Sequence, residues 1–582
     1  MKIRVAKTAG FCMGVRRAVD MVLDLQRACP SLPIVTYGPL IHNPQTLQLL
    51  ESRGIHQVDS LEEITGGTGV IRAHGISPQE RKILQEKGVG IIDATCPRVA
   101  RVQAVIRKHA ARGDFCVIVG DEDHPEVRGL LGFAAAGGVA IPAANPVLIT
   151  ERIPADRRLC VVAQTTQELQ TFEDVVAFLK KRFSDVQVFN TICDSTTKRQ
   201  TEVSRMASQV DMIVVVGGRG SGNTRRLVKV AEAQGVSALH VETDRELTAS
   251  ALAGARTVGV TAGASTPNWQ IRRVIERLRE IGMSRRRGLR KGLRRLADIM
   301  AMTYCWAALG GGGLTATCLI LQGRAVSWLP VLVTTLFVFS MHLLNRLQDR
   351  SGAMKFNTPE MAEFYARHHT MLTGLAAVSS VAAVLLSTAM GTYACFLLLA
   401  MVLAGGLYTA PLIPEDLSSR PRWRSLKDFP GSKTPLVALG WAFAAAVLPV
   451  LDSGAPFFVP GLAIAFLFAA GMVFWRTALS DLLDIQGDRI VGRETIPILI
   501  GVKDTERLLL VSLACLAVVL VVGAGAGWVT PLGFLLILNN LVFGAAFLVY
   551  RRRHLADRVA FEGMIDGNFV LAGLISMVYG ML

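Results

Sequence analysis

The sequence lacks any Cys-x-x-Cys pair, and its 10 cysteines follow no regular spacing across 582 residues. That argues against a disulfide framework of the secreted type and leaves free thiols or metal thiolates, the states expected in a reducing compartment. Met1 to Cys12 holds neither a long apolar core nor a small-residue cleavage site, so no secretory signal is read and the first half is expected in the cytosol. No convincing pair of Gly- or Pro-broken apolar segments repeats along the chain, which argues against a transporter. Acidic residues are in deficit: 62 Lys and Arg against 46 Asp and Glu give a formal net charge of +16. Much of that excess sits in Arg285, Arg286, Arg287, Arg290, Lys291, Arg294 and Arg295, directly before an apolar segment. Membrane orientation explains such a run better than a nucleic-acid partner, and none is expected. With a positive mean hydropathy, the chain divides into a soluble domain at 1–282, a basic juxtamembrane linker at 283–298 and a membrane domain at 299–582.

Residues 1–282 alternate short β-branched runs with turns and amphipathic stretches, such as Val117-Ile118-Val119 before Gly120 and Ile213 to Val216 before Gly217. The pattern predicts an α/β fold with mainly parallel strands, whose ligands collect in the loops between strand ends and helix N-termini. Those loops hold Cys12, His42, His74, Cys96, His124, Cys193 and a Gly-rich turn at Gly217 to Gly222. Cys12, Cys96 and Cys193 lie 84 and 97 residues apart, so three lobes of similar size would each offer one thiolate to a common point. Cys29, Cys116 and Cys160 are read as small buried hydrophobes. Spacing alone does not choose the metal. Zinc would be completed by the neighbouring histidines, as in a hydrolase, whereas a three-thiolate iron–sulfur cluster leaves one iron open.

Five motifs, Gly10-Phe11-Cys12-Met13-Gly14-Val15, Ala73-His74-Gly75, Asp93-Ala94-Thr95-Cys96-Pro97, His124-Pro125-Glu126-Val127 and Thr261 to Ser265, occur in order. Through them residues 1–282 resemble the 4-hydroxy-3-methylbut-2-enyl diphosphate reductase (LytB/IspH) family. The resemblance implies a three-lobed α/β iron–sulfur reductase around a [4Fe-4S] cluster held by Cys12, Cys96 and Cys193. It also implies reduction by a ferredoxin or flavodoxin type donor, and loss of the substrate's allylic hydroxyl as water. Glu126 is then the proton donor with Thr165 orienting the hydroxyl, and His42, His74, His124, Ser221, Asn223 and Ser265 bind the diphosphate. One departure falls there: Ser221-Gly222-Asn223 stands where the family commonly has two serines before the asparagine.

Nine apolar stretches follow, at 299–321, 326–345, 372–390, 392–413, 434–451, 456–479, 506–526, 530–549 and 567–582. Each approaches the ~20 residues that cross a ~30 Å bilayer core, which predicts an all-α nine-helix transmembrane bundle. Basic residues in alternate loops place the odd spans outward from a cytosolic N-terminus, in a bacterial-type inner membrane. At the cytosolic end of the sixth stretch, Asp481, Asp484 and Asp488 fall on one helical face, a spacing that suits Mg²⁺ held with substrate phosphates. The bland alternative is a solvated helix end.

Tyr408-Thr409-Ala410-Pro411-Leu412, Asp481 to Asp488 and Gly492 to Pro497 give residues 295–582 a resemblance to the UbiA superfamily of intramembrane prenyltransferases. That implies prenyl diphosphate substrates, Mg²⁺, membrane lipids as surroundings, and a lipophilic acceptor. The family's first motif, Asn-Asp-x-x-Asp-x-x-x-Asp, survives only as Asn345 and Asp349, with Arg346 and Ala353 at two acidic positions. The second domain is therefore expected either to bind diphosphate with help from arginine and fewer metal ions, or to be an inactive anchor for the reductase.

Overall fold

The computed structural model describes residues 1–143, 151–284, 289–349, 352–409, 425–426, 429–451, 459–552 and 558–582. By its internal contacts the chain splits into two compact units, Met1–Arg286 and Arg287–Leu582.

The first unit is built on three four-stranded sheets, and every strand pair is parallel. One sheet has the order β1 (Lys2–Val5), β12 (Thr257–Ala262), β10 (Met212–Val216), β11 (Ser237–Val241). A second runs β3 (Ile55–Val58), β2 (Ile34–Tyr37), β4 (Thr68–Ile71), β5 (Gly90–Asp93), and a third β7 (Gly138–Ile141), β6 (Phe115–Val119), β8 (Leu159–Ala163), β9 (Val186–Phe189). Helices on both faces explain why β6 and β8 are buried at every position and read as unbroken apolar runs. Pairing of β1 with β12, Lys2 opposite Thr257, sews the start of the unit into a sheet made from its end.

Cys116 and Cys160 face each other across β6 and β8, fully buried, as expected of small hydrophobes. Cys29 departs from that expectation and is exposed. It caps the helix Met13–Ala28, whose buried face ends at Leu23, and Pro30 then ends any continuation.

The second unit is all helical among the described residues. Seven helices are long and apolar enough to cross a membrane, or eight if the pair Arg295–Met302 and Cys305–Leu321, bent by 69°, is one span. The expected fourth stretch appears as Thr392–Tyr408, a shorter apolar helix. Ala410, Pro411 and Leu412 lie outside the described residues, as do residues 285–288 of the basic run. Apolar burial gives helices in lipid little reason to associate, so close backbone approach and polar contacts must do it. Helix Cys305–Leu321 carries Gly310 and Gly313 against helix Arg558–Met581 and Gly311 and Gly312 against helix Trp328–Leu347, and Ser576 Oγ donates to Thr317 Oγ1 at 3.0 Å. A Cβ on Gly573 would sit 2.6 Å from Gly313 Cα. We expect Gly573→Val to destabilise the second unit by about 1–3 kcal/mol through overpacking, read as a lower thermal midpoint of the full chain in detergent, with Gly573→Ala intermediate.

Candidate functional site

Cys12, Cys96 and Cys193 follow β1, β5 and β9, one from each sheet, and each is the N-cap of a helix, Met13–Ala28, Pro97–Ala110 and Asp194–Ala207. Helix N-termini present amides and a positive dipole end, which favour thiolate. Backbone hydrogen bonds tie each cysteine to a second loop: Cys12 N–H donates to Ala264 O at 3.0 Å, Cys96 N–H to Ala73 O at 3.0 Å, and Cys193 N–H to Thr165 O at 2.9 Å. These are the loops that carry Ser265, His74 and Thr165.

The structure brings the three thiols together. Burial pushes the Cys96 thiol up, and the sulfurs of Cys12 and Cys193 push it further. A Cβ on Gly14 would collide with Cys96 Sγ, so the first turn after Cys12 packs directly on the second thiol. Buried Arg199 lies beside Cys12 and Cys193 and donates to Gly10 O at 2.8 Å and to Thr8 O. Sequence reasoning does not single it out, because its partners are backbone carbonyls about 190 positions away. A single zinc ion, with Zn–S near 2.3 Å, would need the sulfurs within roughly 4.6 Å of one another. Among the described residues His42, His74 and His124 form a group whose donor atoms all lie within 4.8 Å. Three convergent thiols, one from each sheet, beside a buried guanidinium fit a polynuclear iron–sulfur group.

Beside the thiols, Glu126 is buried and accepts two hydrogen bonds, from Thr165 N–H at 2.7 Å and Thr165 Oγ1 at 2.8 Å. Burial raises its pKa, opposed by those donors and by Arg226. Arg226, also unforeseen, is held by Thr166 O at 2.6 Å and Asp121 at 3.2 Å. The result is a carboxyl that retains its proton above the ordinary range, next to a hydroxyl that orients it.

The histidine rings stand 4.6 to 5.5 Å apart. Burial is the first cause that lowers all three, His124 to about 4 and His74 well below its ordinary value, so the imidazoles are neutral at pH 7. His124 Nδ1 accepts from Glu126 N–H at 3.1 Å, which assigns its proton to Nε2. Its outward nitrogen is therefore a donor rather than a metal ligand, and the trio suits an oxyanion better than a cation. Among the described residues His42 Nε2, His74 Nδ1 and both amide atoms of Asn223 are buried without a partner. Ser221 caps helix Gly222–Ala233, and Ser265 Oγ donates to His42 O at 2.9 Å. A Cβ on Gly222 would meet only Arg226 Nη1 at 3.8 Å and His124 Cδ2 at 4.0 Å, so the missing serine leaves open space against His124.

In the second unit Asp481, Asp484 and Asp488 are buried on helix Val459–Val491. Asp481 is paired with Lys433 at 2.5 Å and accepts from Thr434 at 2.7 Å. Asp488 accepts from Asn357 at 3.0 Å, while its Oδ2 is buried without a partner. Asp349 joins this cluster through Arg493, which pairs with it at 2.5 Å and reaches Asp488 at 4.0 Å. Asn345 keeps a buried Oδ1 with no partner. Lys433 carries no sequence signal, whereas Arg493 lies in the Gly492 to Pro497 motif.

Residues 3–279 match the family model described as LytB protein, and residues 367–565 that described as UbiA prenyltransferase family. The second match begins after Asn345 and Asp349. The 4-hydroxy-3-methylbut-2-enyl diphosphate reductase of Geobacter sulfurreducens is 41% identical over 280 residues, 48% of this chain and 98% of that enzyme. That of Nitratidesulfovibrio vulgaris is 45% identical over 271 residues, 46% and 95% of the two chains. A solved UbiA homolog from Aeropyrum pernix K1 is 14% identical, with 48% of this chain and 98% of its own covered and a TM-score of 0.37.

The neutral histidines set a pH dependence of stability. His124, lowered to about 4 from 6.5, contributes stability that is complete above pH 6.5 and is lost as the pH falls through 4. Glu126, raised by burial, works with the opposite sign. We expect hydrogen-exchange protection of Phe115–Val119 to decline between pH 6.5 and 4, and His124→Gln to flatten that decline.

Proposed function

The chain belongs to the LytB protein family through residues 3–279, and from that premise we propose that its first unit reduces 4-hydroxy-3-methylbut-2-enyl diphosphate to isopentenyl and dimethylallyl diphosphates. Two electrons and two protons enter, the allylic C–O bond breaks, and the hydroxyl leaves as water. The observation that carries this reading is the set of three backbone bonds locking Cys12, Cys96 and Cys193 to the loops of Ser265, His74 and Thr165. Cys12, Cys96 and Cys193 would hold a [4Fe-4S] cluster, which when bound supplies the electrons and an open iron for the hydroxyl. The remaining roles belong to the chain itself. His42, His74, His124 and Asn223 offer neutral donors to the diphosphate, assisted by the amides that follow Ser221. Thr165 orients the departing hydroxyl, and Glu126 carries the proton that makes it water. A ferredoxin or flavodoxin type protein is the electron donor.

The second unit we read as a nine-span intramembrane prenyltransferase that uses Mg²⁺ and a lipophilic acceptor, supported by residues 367–565 and the buried aspartates. The domain limits 1–282, 283–298 and 299–582 follow the change in composition, and the reductase faces the cytosol. An inactive anchor is the second reading, favoured by Arg346 and Ala353 and by a family match that starts beyond them.

Anaerobically purified full chain should contain about four irons per molecule and convert 4-hydroxy-3-methylbut-2-enyl diphosphate with a chemical reductant. Cys96→Ser should lose the iron. Glu126→Gln should keep iron and diphosphate binding but lose on the order of 10²-fold or more of turnover, and full turnover in that variant would reject the proton-donor role. For the second unit, Asp488→Asn in cells should abolish a prenylated lipid visible by mass spectrometry, whereas an anchor leaves the lipid profile unchanged.

A further inference from the structure

Tyr304 is the only non-glycine residue with positive φ among the described residues, at φ 60, and it sits at the 69° break in the first apolar segment. A left-handed tyrosine is strained and persists only where its surroundings hold it. Here they do. Arg346 Nε donates to the Tyr304 hydroxyl at 2.7 Å with its guanidinium 5.4 Å over the ring. The His342 ring stacks on Tyr304 at 4.7 Å and 6°, and Trp441 meets His342 edge-on at 5.7 Å. The Nε bond to Tyr304 fixes the orientation of the guanidinium. Three residues on, Asp349 pairs with Arg493, which also reaches Asp488 at 4.0 Å, so the chain that carries Arg346 stands beside the acidic face of helix Val459–Val491.

The two sides of this cluster differ in kind. On one helix face three carboxylates follow each other at Asp481, Asp484 and Asp488; Asp481 is held by Lys433, while Asp488 Oδ2 is buried without a partner, an atom suited to a divalent cation. On the other side Asp349 is already paired with Arg493, and the neighbouring cation is Arg346. A planar guanidinium binds phosphate oxygens through two parallel N–H bonds, a task that a divalent ion otherwise performs as a bridge. We propose that Arg346 binds the diphosphate directly in place of a second divalent cation, so that the second unit takes one metal ion per prenyl diphosphate. This rests on the reading of the second unit as a prenyl-diphosphate site. Tyr304 and His342 are positioning residues for that contact.

The test counts metal. Full-length protein in lipid nanodiscs is titrated with Mn²⁺ and dimethylallyl diphosphate, bound Mn²⁺ is counted by electron paramagnetic resonance, and the full-length Asp484→Asn/Asp488→Asn variant supplies the background of the first unit. One Mn²⁺ per chain above that background is expected, with Arg346→Met weakening dimethylallyl diphosphate at this site tenfold or more at unchanged Mn²⁺ count, and Arg346→Lys falling between. Two Mn²⁺ per chain, or undiminished affinity in Arg346→Met, overturns the proposal while leaving the prenyl-diphosphate reading intact. Should wild type and the double variant bind dimethylallyl diphosphate equally, both fail together.

Discussion

Three backbone hydrogen bonds, from Cys12 to Ala264, Cys96 to Ala73 and Cys193 to Thr165, hold the first unit's chemistry in register. Each joins a thiol-bearing helix start to the loop of Ser265, His74 or Thr165. The sheets can therefore be separate layers with separate cores while the site remains one object, because neither the thiols nor the donors can move without the other. Gly14, which admits Cys96 against the first turn, and Arg199, which spans Thr8 and Gly10, close the same junction from behind.

The two units solve the burial of polar groups in opposite ways. In the first, burial keeps the histidines neutral and raises the Glu126 carboxyl above its ordinary range, so that donors are available with little net charge. In the second, the ionisable side chains are matched in pairs: Lys433 with Asp481, Arg476 with Asp566 and Arg493 with Asp349. Pairing of this kind is the condition for charge inside an apolar bundle.

Much of this was legible in the residues. Strand-end loops named Cys12, Cys96, Cys193 and the histidines because parallel α/β architecture gathers such loops, and the acidic face of Asp481 to Asp488 followed from helical spacing alone. What stayed hidden was whatever depends on distant partners. Arg199 and Arg226 look like ordinary surface arginines until their carbonyl partners fold over them. Tyr304 gives no local sign of a left-handed backbone, since no glycine or proline marks the break. Hydropathy likewise registers an apolar run but not a bend within it.

Parallel pairing of β1 with β12 has a kinetic corollary. On the ribosome, Lys2–Val5 waits as an orphan edge until Thr257–Ala262 emerges, while the sheets of residues 34–93 and 115–189 can already have consolidated. The first cysteine is thus the last to be seated.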